Sequence, residues 1–277
     1  MAIRSLPPLP TGDELKSYYN EAYQVPLRYH SNGVSREAQF ILRMIREHHS
    51  RRGKLLEVGC SYGFFLDAAR RDGWEVCGVE LDEAAANHAR EKLGIEVFSG
   101  TLESECSRLR APYDVIALFH VIEHIPRPIP FLQACRTLLA DDGVLLLRTP
   151  NVDSWIAGVA RSHWQWSCPP AHIHLFSPRT LPLLFAESGY QVERLRSRQG
   201  DARNNLSELI CAFGRFLLSK RAPRPVSSGR QPWGNRRSVA VIDAMAQMFY
   251  WPFRTFLDPW LETKGLQPEL LAIAKKA

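Results

Sequence analysis

The sequence predicts an α/β protein built on a doubly wound, mostly parallel sheet. Three observations predict it. The apolar stretch Leu55-Leu56-Glu57-Val58 turns through Gly59-Cys60-Ser61-Tyr62-Gly63 directly into an amphipathic helix. A second apolar stretch, Glu75-Val76-Cys77-Gly78-Val79, ends on the acid Glu80. Strand and helix signals then alternate, the pattern of a parallel sheet with crossover helices.

Each element has its own signal. From Thr11 to Ser50 the spacing is helical. Asp13 or Thr11 caps a first helix carrying Leu15, Tyr18, Tyr19 and Tyr23, and Ser35–His48 puts Phe40, Ile41, Met44 and Ile45 on one face. Lys54–Val58 reads as a strand, Gly63–Asp72 as a helix and Glu75–Val79 as a strand. Asp82 caps a helix that runs to Leu93 and stops at Gly94. Ile95–Phe98 reads as a short strand, Thr101–Leu109 as a short helix and Tyr113–Phe119 as a strand. Ile129–Leu139 is a helix, Val144–Arg148 a strand, Pro178–Ser188 a helix capped by Ser177, and Tyr190–Arg196 a strand. The run Glu269–Lys275 is a closing strand.

Residues 201–266 interrupt this alternation. Asn204–Ser219 has helical spacing, Lys220–Arg237 is rich in Pro, Gly, Ser and Arg, and Val239–Leu261 is dense in large apolar residues. The domains expected are a helical N-terminal cap (1–52), an α/β domain (53–200), a helical insertion or lid (201–266) and a last strand (267–277).

Hydrophobic content of 45% suits a globular core, and the net charge is +6. The six cysteines are scattered without a C-x-x-C pair, which predicts free thiols in a reducing compartment. Met1–Pro10 has no apolar h-region, and no stretch reaches the ~18 apolar residues of a membrane span. A soluble, cytoplasmic protein is expected.

Two acid-tipped strands about twenty residues apart, with a glycine turn between them, describe an adenosine pocket. Backbone N–H groups face the ligand, and Glu80 accepts from the ribose hydroxyls. The dinucleotide fingerprint needs three closely spaced glycines, whereas Ser61 stands between Gly59 and Gly63. Glu57 at the mouth of the turn repels a pyrophosphate and suits an ammonium. The stretch resembles the first motif of the class I S-adenosylmethionine-dependent methyltransferases, E/D-x-G-x-G-x-G, departing from it at Ser61. That resemblance implies a seven-stranded Rossmann-like fold whose final strand is antiparallel at the sheet edge. It also implies an S-adenosylmethionine site made of Glu57, Gly59, Cys60, Ser61, Gly63, Glu80, Leu81, Thr101, Leu102, Phe119 and His120. Tyr19 is added from the N-terminal helices as a closing residue. Leu81 is placed on the adenine face, and Thr101 where many members carry an aspartate.

The segment Phe119-His120-Val121-Ile122-Glu123-His124 resembles the family's segment after the fourth strand. No resident metal is expected; Glu123 and His124, with His120 at helical spacing, are the residues that would hold one. The stretch His172-Ile173-His174-Leu175-Phe176-Ser177-Pro178 resembles a branch that methylates sugars, quinones and natural products. His172 and His174 alternate, so an extended backbone points them the same way. His174, His172 and His120 are the candidate bases for a hydroxyl acceptor.

The function expected is methyl transfer to a small molecule, most simply to a hydroxyl oxygen. The alternatives are an N- or C-methyltransferase of the same fold, or a non-catalytic adaptor that uses 201–266 against a partner. Nucleic acid is disfavoured, because D/N-P-P-Y is absent after the fourth strand. The arginines and apolar residues of 201–266 suit peripheral contact with a membrane.

Overall fold

The structure is a computed structural model that describes residues 4–5, 34–164, 166–167, 171–199 and 256–277. Tyr19, the helix expected after Thr11 and most of the expected insertion lie outside these residues.

The described elements are numbered in chain order. They are β1 (Arg4–Ser5), α1 (Val34–His48), β2 (Lys54–Val58), α2 (Phe64–Arg71), β3 (Glu75–Glu80), α3 (Glu83–Leu93), β4 (Glu96–Ser99), α4 (Leu102–Glu105) and β5 (Tyr113–Phe119). They continue with α5 (Pro128–Leu138), β6 (Leu139–Pro150), α6 (Trp155–Ala160), β7 (His174–Leu175), α7 (Leu181–Glu187), β8 (Tyr190–Arg198), a helix over 256–263 and β9 (Glu269–Lys276).

Seven strands form one sheet in the order β4-β3-β2-β5-β6-β9-β8. Neighbours from β4 through β6 are parallel, and β9 runs antiparallel between β6 and β8. The last strand therefore sits one place in from the edge, and β8 takes the edge itself. The pattern explains this position: Leu270, Leu271, Ala272, Ile273 and Ala274 are all fully buried, which an interior strand permits and an edge strand does not.

Successive residues of a strand face opposite sides of a sheet. In β5, Val115 and Ala117 join the core cluster on one face, while Ile116 and Leu118 join the cluster on the other. In β6, Val144 and Leu146 alternate with Leu145 and Leu147 in the same way. The first face is covered by α1 through Ala38, Ile41, Leu42, Met44 and Ile45, and by α2 and α3. The second is covered by α5 and α7, through Phe131, Leu132, Leu184 and Phe185.

Three local readings change. The helix expected from Pro178 begins at Leu181, because Ser177 Oγ caps the turn before it, accepting from the N–H groups of Arg179 at 3.3 Å and Thr180 at 3.2 Å. The short helix after Thr101 is one α turn followed by a 3-10 turn, Cys106–Arg108. Strand β6 begins at Leu139, five residues before the expected Val144, with a register shift between Tyr113 and Val115 of its partner. The cysteines Cys60, Cys77, Cys106 and Cys135 are free thiols. Among the described residues, no helix is long and apolar enough to cross a membrane.

Candidate active site

Strand order reverses between β2 and β5, so their carboxyl ends open a crevice beside β3, the usual ligand position in an open parallel sheet. The register aligns Val58 with Val79 on one side and with Leu118 on the other. Glu57, Glu80 and the residues after Phe119 therefore meet at one mouth.

The loop after β2 folds back on β3. The N–H groups of Gly59 and Cys60 donate to Val79 O at 2.7 and 3.2 Å. Gly59 has φ +74, and a Cβ there would stand 2.6 Å from Val121 Cγ2. Ser61 also adopts a positive φ of 48, the conformation that a third motif glycine would favour. Glu80 anchors the loop: Oε2 accepts from Ser61 N at 2.6 Å and Oε1 from Asp82 N at 2.8 Å. Burial raises the Glu80 carboxyl above its usual range, while these donors and the Leu81 N–H oppose the rise. Glu57 is fully buried and held well above the ordinary carboxyl range, first by burial and then by Glu80, against the pull of Arg148. Its Oε2 has no hydrogen-bond partner among the described residues. Burial likewise pushes the Cys60 thiol well up.

The other expected cofactor residues divide. Phe119 packs edge-on against Phe65 at 4.9 Å, with the Arg148 guanidinium over its ring at 5.2 Å. Thr101 Oγ1 accepts from Ser104 N at 3.2 Å in a capping box. Leu102 is buried in the core cluster beneath.

Beyond β5 the chain builds an aromatic stack. His120, at φ 56, lies 5.2 Å from Trp166 with rings 7° from parallel, and Trp166 lies 5.5 Å from His172 at 10°. His124 meets His172 edge-on at 4.7 Å. His120 Nδ1 stands 3.2 Å from Glu123 Oε1, and Nε2 stands 3.5 Å from Glu269 Oε1. Burial disfavours a charged ring, but the two carboxylates outweigh it and hold His120 up at about 9. A ring protonated on both nitrogens has no lone pair to receive a proton, so these two carboxylates work against His120 as a base.

His172 is the opposite case. Burial and the neighbouring His124 bring it down to about 4, so the ring is neutral. Its Nδ1 donates to Trp166 O at 2.7 Å, which leaves the lone pair on Nε2. His174 takes a different partner from His172, whereas alternation predicted a common direction. Strand β7 starts only at His174, which pairs with Ser5 and turns its Nε2 to Pro126 O at 3.4 Å. Glu123, His124 and His172 present three ligand-type atoms within 4.8 Å of one another, so His172 takes the third place that helical spacing gave to His120. Glu123 already accepts from Thr149 Oγ1 at 3.0 Å and faces His120, and His124 Nδ1 donates to Ala171 O at 2.7 Å.

Sequence reasoning missed Glu269 and Arg148. A single acid opening an apolar strand, and an arginine closing one, were the available signals: a buried charge needs a partner. Arg148 pairs with Glu37 at 3.0 Å and faces Glu269 at 3.9 Å, and Arg198 also pairs with Glu37.

A family model described as a methyltransferase domain matches residues 29–195. The ubiquinone biosynthesis O-methyltransferase of Actinobacillus pleuropneumoniae is 36% identical over 107 residues, 35% of this chain and 46% of that protein. The protein of the same name from Yersinia enterocolitica is 28% identical over 128 residues, 44% of this chain and 53% of that one. The chain spans about half the length of the curated relatives it matches. Among solved structures, a SAM dependent methyltransferase from Archaeoglobus fulgidus superposes with a TM-score of 0.54 at 18% identity, covering 87% of this chain and 94% of that one. A putative sarcosine dimethylglycine methyltransferase from Galdieria sulphuraria gives 0.57 at 15% identity, covering 96% and 98%. At these identities the structures share the fold.

Proposed function

We propose that this chain, which belongs to the methyltransferase-domain family and takes its methyl group from S-adenosylmethionine, delivers that group to a hydroxyl oxygen of a small organic acceptor. The observation that carries the reading is the pair of carboxylates at the switch point. The residues fit an aminoacyl sulfonium nucleoside. Glu57 offers a buried, unpartnered carboxylate oxygen for an ammonium, the left-handed Gly59 folds the loop tightly at the strand tip, and Glu80 has lone pairs left for a ribose diol. Bound, S-adenosylmethionine supplies a methyl carbon already activated by its sulfonium.

Most of the acceleration then comes from holding the acceptor oxygen in line with that carbon. His172 supplies the smaller share. A base near 4 is too weak to ionise a resting hydroxyl, but the hydroxyl proton becomes far more acidic as its oxygen forms the new bond. His172 Nε2, neutral at physiological pH, receives the proton at that stage. His172→Ala is expected to lower kcat by roughly tenfold to a hundredfold with cofactor affinity intact, and His174→Ala to leave kcat within about threefold. Equal losses in the two variants would return His174 to the reaction.

Glu57 gives the reading a pH signature. Burial and Glu80 push its carboxyl well up in the free protein, which favours the protonated form, and an ammonium beside it favours the ionised one. Binding therefore releases a proton, and affinity rises with pH until pH exceeds the raised value of the free protein. Calorimetry in two buffers of different ionisation enthalpy counts that proton. No proton release and a flat pH profile would separate Glu57 from the ligand.

Tritium transfer from labelled S-adenosylmethionine to a set of hydroxyl, amine and carbon acceptors tests the reaction itself. Label in an ether or ester product supports the reading. Label only on nitrogen or carbon overturns the choice of oxygen, and no transfer at all overturns the reaction.

A further inference from the structure

We propose that Glu269, the first residue of the last strand, is a positioning residue for methyl transfer: through His120 it sets the plane of the His120–Trp166 stack, which forms one wall of the acceptor cleft. The inference rests on the reading above and extends it to a residue about 150 positions away in sequence.

The geometry is over-determined around His120 in a way that scaffolding does not require. Its backbone takes a left-handed φ of 56, pinned by its N–H donating to Arg148 O at 2.9 Å. That conformation costs a non-glycine residue about 1 kcal/mol or more. The ring is then held from two sides by carboxylates of separate elements. Glu123, from the turn after β5, faces Nδ1 at 3.2 Å, and Glu269, from β9, faces Nε2 at 3.5 Å. Both acids are buried. Two fixed contacts on opposite edges leave the imidazole no rotation about its long axis, so its face is presented in one orientation. Trp166 lies on that face within 7° of parallel.

Glu269 is otherwise an expensive residue to keep. It is 4% exposed at the start of a strand buried on both faces, pairs in register with Pro150, and leaves Oε2 without a hydrogen bond among the described residues. Arg148 Nε stands 3.9 Å from that oxygen, beyond hydrogen-bond reach, and Glu37 is paired with both Arg148 and Arg198. Neutralising Arg148 is thus shared with Glu37, whereas facing His120 Nε2 falls to Glu269 among the described residues. A flat ring stacked on an indole is a surface for another flat group, so the wall acts on the acceptor.

The test is a kinetic double-mutant cycle on the full chain, using the acceptor of highest turnover from the tritium experiment and S-adenosylhomocysteine as the probe of the cofactor site. Glu269→Gln is expected to lower kcat/KM for the acceptor roughly 10- to 100-fold, with KM carrying most of the change, as for other residues that orient a functional side chain through one hydrogen bond. S-adenosylhomocysteine affinity should stay within about twofold, a split that general loosening of the fold does not produce. In a His120→Ala background the same Glu269→Gln change should have no further effect on kcat/KM. Glu269→Asp keeps the charge for Arg148 and withdraws the carboxylate from Nε2, and it should reproduce the KM defect if Glu269→Gln does not fold. Wild-type kinetics in Glu269→Gln or Glu269→Asp, a loss that adds in full to His120→Ala, or a parallel loss of S-adenosylhomocysteine affinity overturns the positioning role. Absence of methyl transfer by the wild type overturns the proposed reaction, and the positioning role with it; turnover by the wild type with any of the former results overturns the positioning role alone.

Discussion

Replacing Glu80 with alanine is expected to weaken S-adenosylmethionine binding by about 1–3 kcal/mol, the loss typical of a charged hydrogen-bond acceptor. In affinity this is roughly 5- to 150-fold. Two effects combine. The ribose hydroxyls lose their acceptor, and the N–H groups of Ser61 and Asp82 lose the oxygens they now donate to at 2.6 and 2.8 Å. The second effect loosens the loop before any ligand arrives. Glu80→Gln separates the two, because the amide keeps one acceptor oxygen and presents an NH2 group to a backbone N–H. Its affinity should fall between wild type and Glu80→Ala. Isothermal calorimetry reads both, and wild-type affinity in Glu80→Ala would remove Glu80 from the cofactor site.

The second large effect is expected at Gly59. Alanine there must hold φ +74, which costs an L-residue about 1–2 kcal/mol. Its Cβ would also lie 2.6 Å from Val121 Cγ2, and overpacking of that kind costs typically 1–3 kcal/mol. Gly59→Ala should therefore destabilise the chain by roughly 2–5 kcal/mol on combining those two figures. It should also displace Val121, the residue after His120 in sequence. Adding Val121→Ala removes the clash but leaves the backbone strain, so about half of the loss should return. Urea unfolding measures both. A wild-type midpoint for Gly59→Ala would mean that this loop is not held as described.

What the sequence made legible follows from the range of the interactions involved. The strand Tyr113–Phe119 and the cap at Asp82 depend on neighbours within a few residues, and both stand where the pattern placed them. Asp82 accepts from the N–H groups of Ala84 and Ala85, with Gly94 left-handed at the other end of the helix. The carboxylates Glu57 and Glu80 were legible because a strand–turn–helix fixes its own geometry. The reading changes where a competing local turn or a distant partner decides. Ser177 followed by proline reads as a helix start, yet Thr180 draws the Ser177 hydroxyl and N–H into a separate turn. His172 and His174 alternate in sequence, but Trp166 claims one ring and Pro126 the other. His120 reads as a neutral base until Glu269 is placed beside it by a strand that enters the sheet last. Periodicity carries no record of such pairings. The unpaired acid at the head of an apolar run was the trace that remained.

The central claim is that the mouth formed by the β2 loop and the end of β3 holds the nucleoside of the methyl donor. A crystal structure of the complex with S-adenosylhomocysteine tests it most directly. The account predicts both ribose hydroxyls on the Glu80 carboxylate and the amino group directed at Glu57, with the Gly59 backbone against the ligand. Nucleoside density at any other place, or a ribose turned away from Glu80, would contradict it.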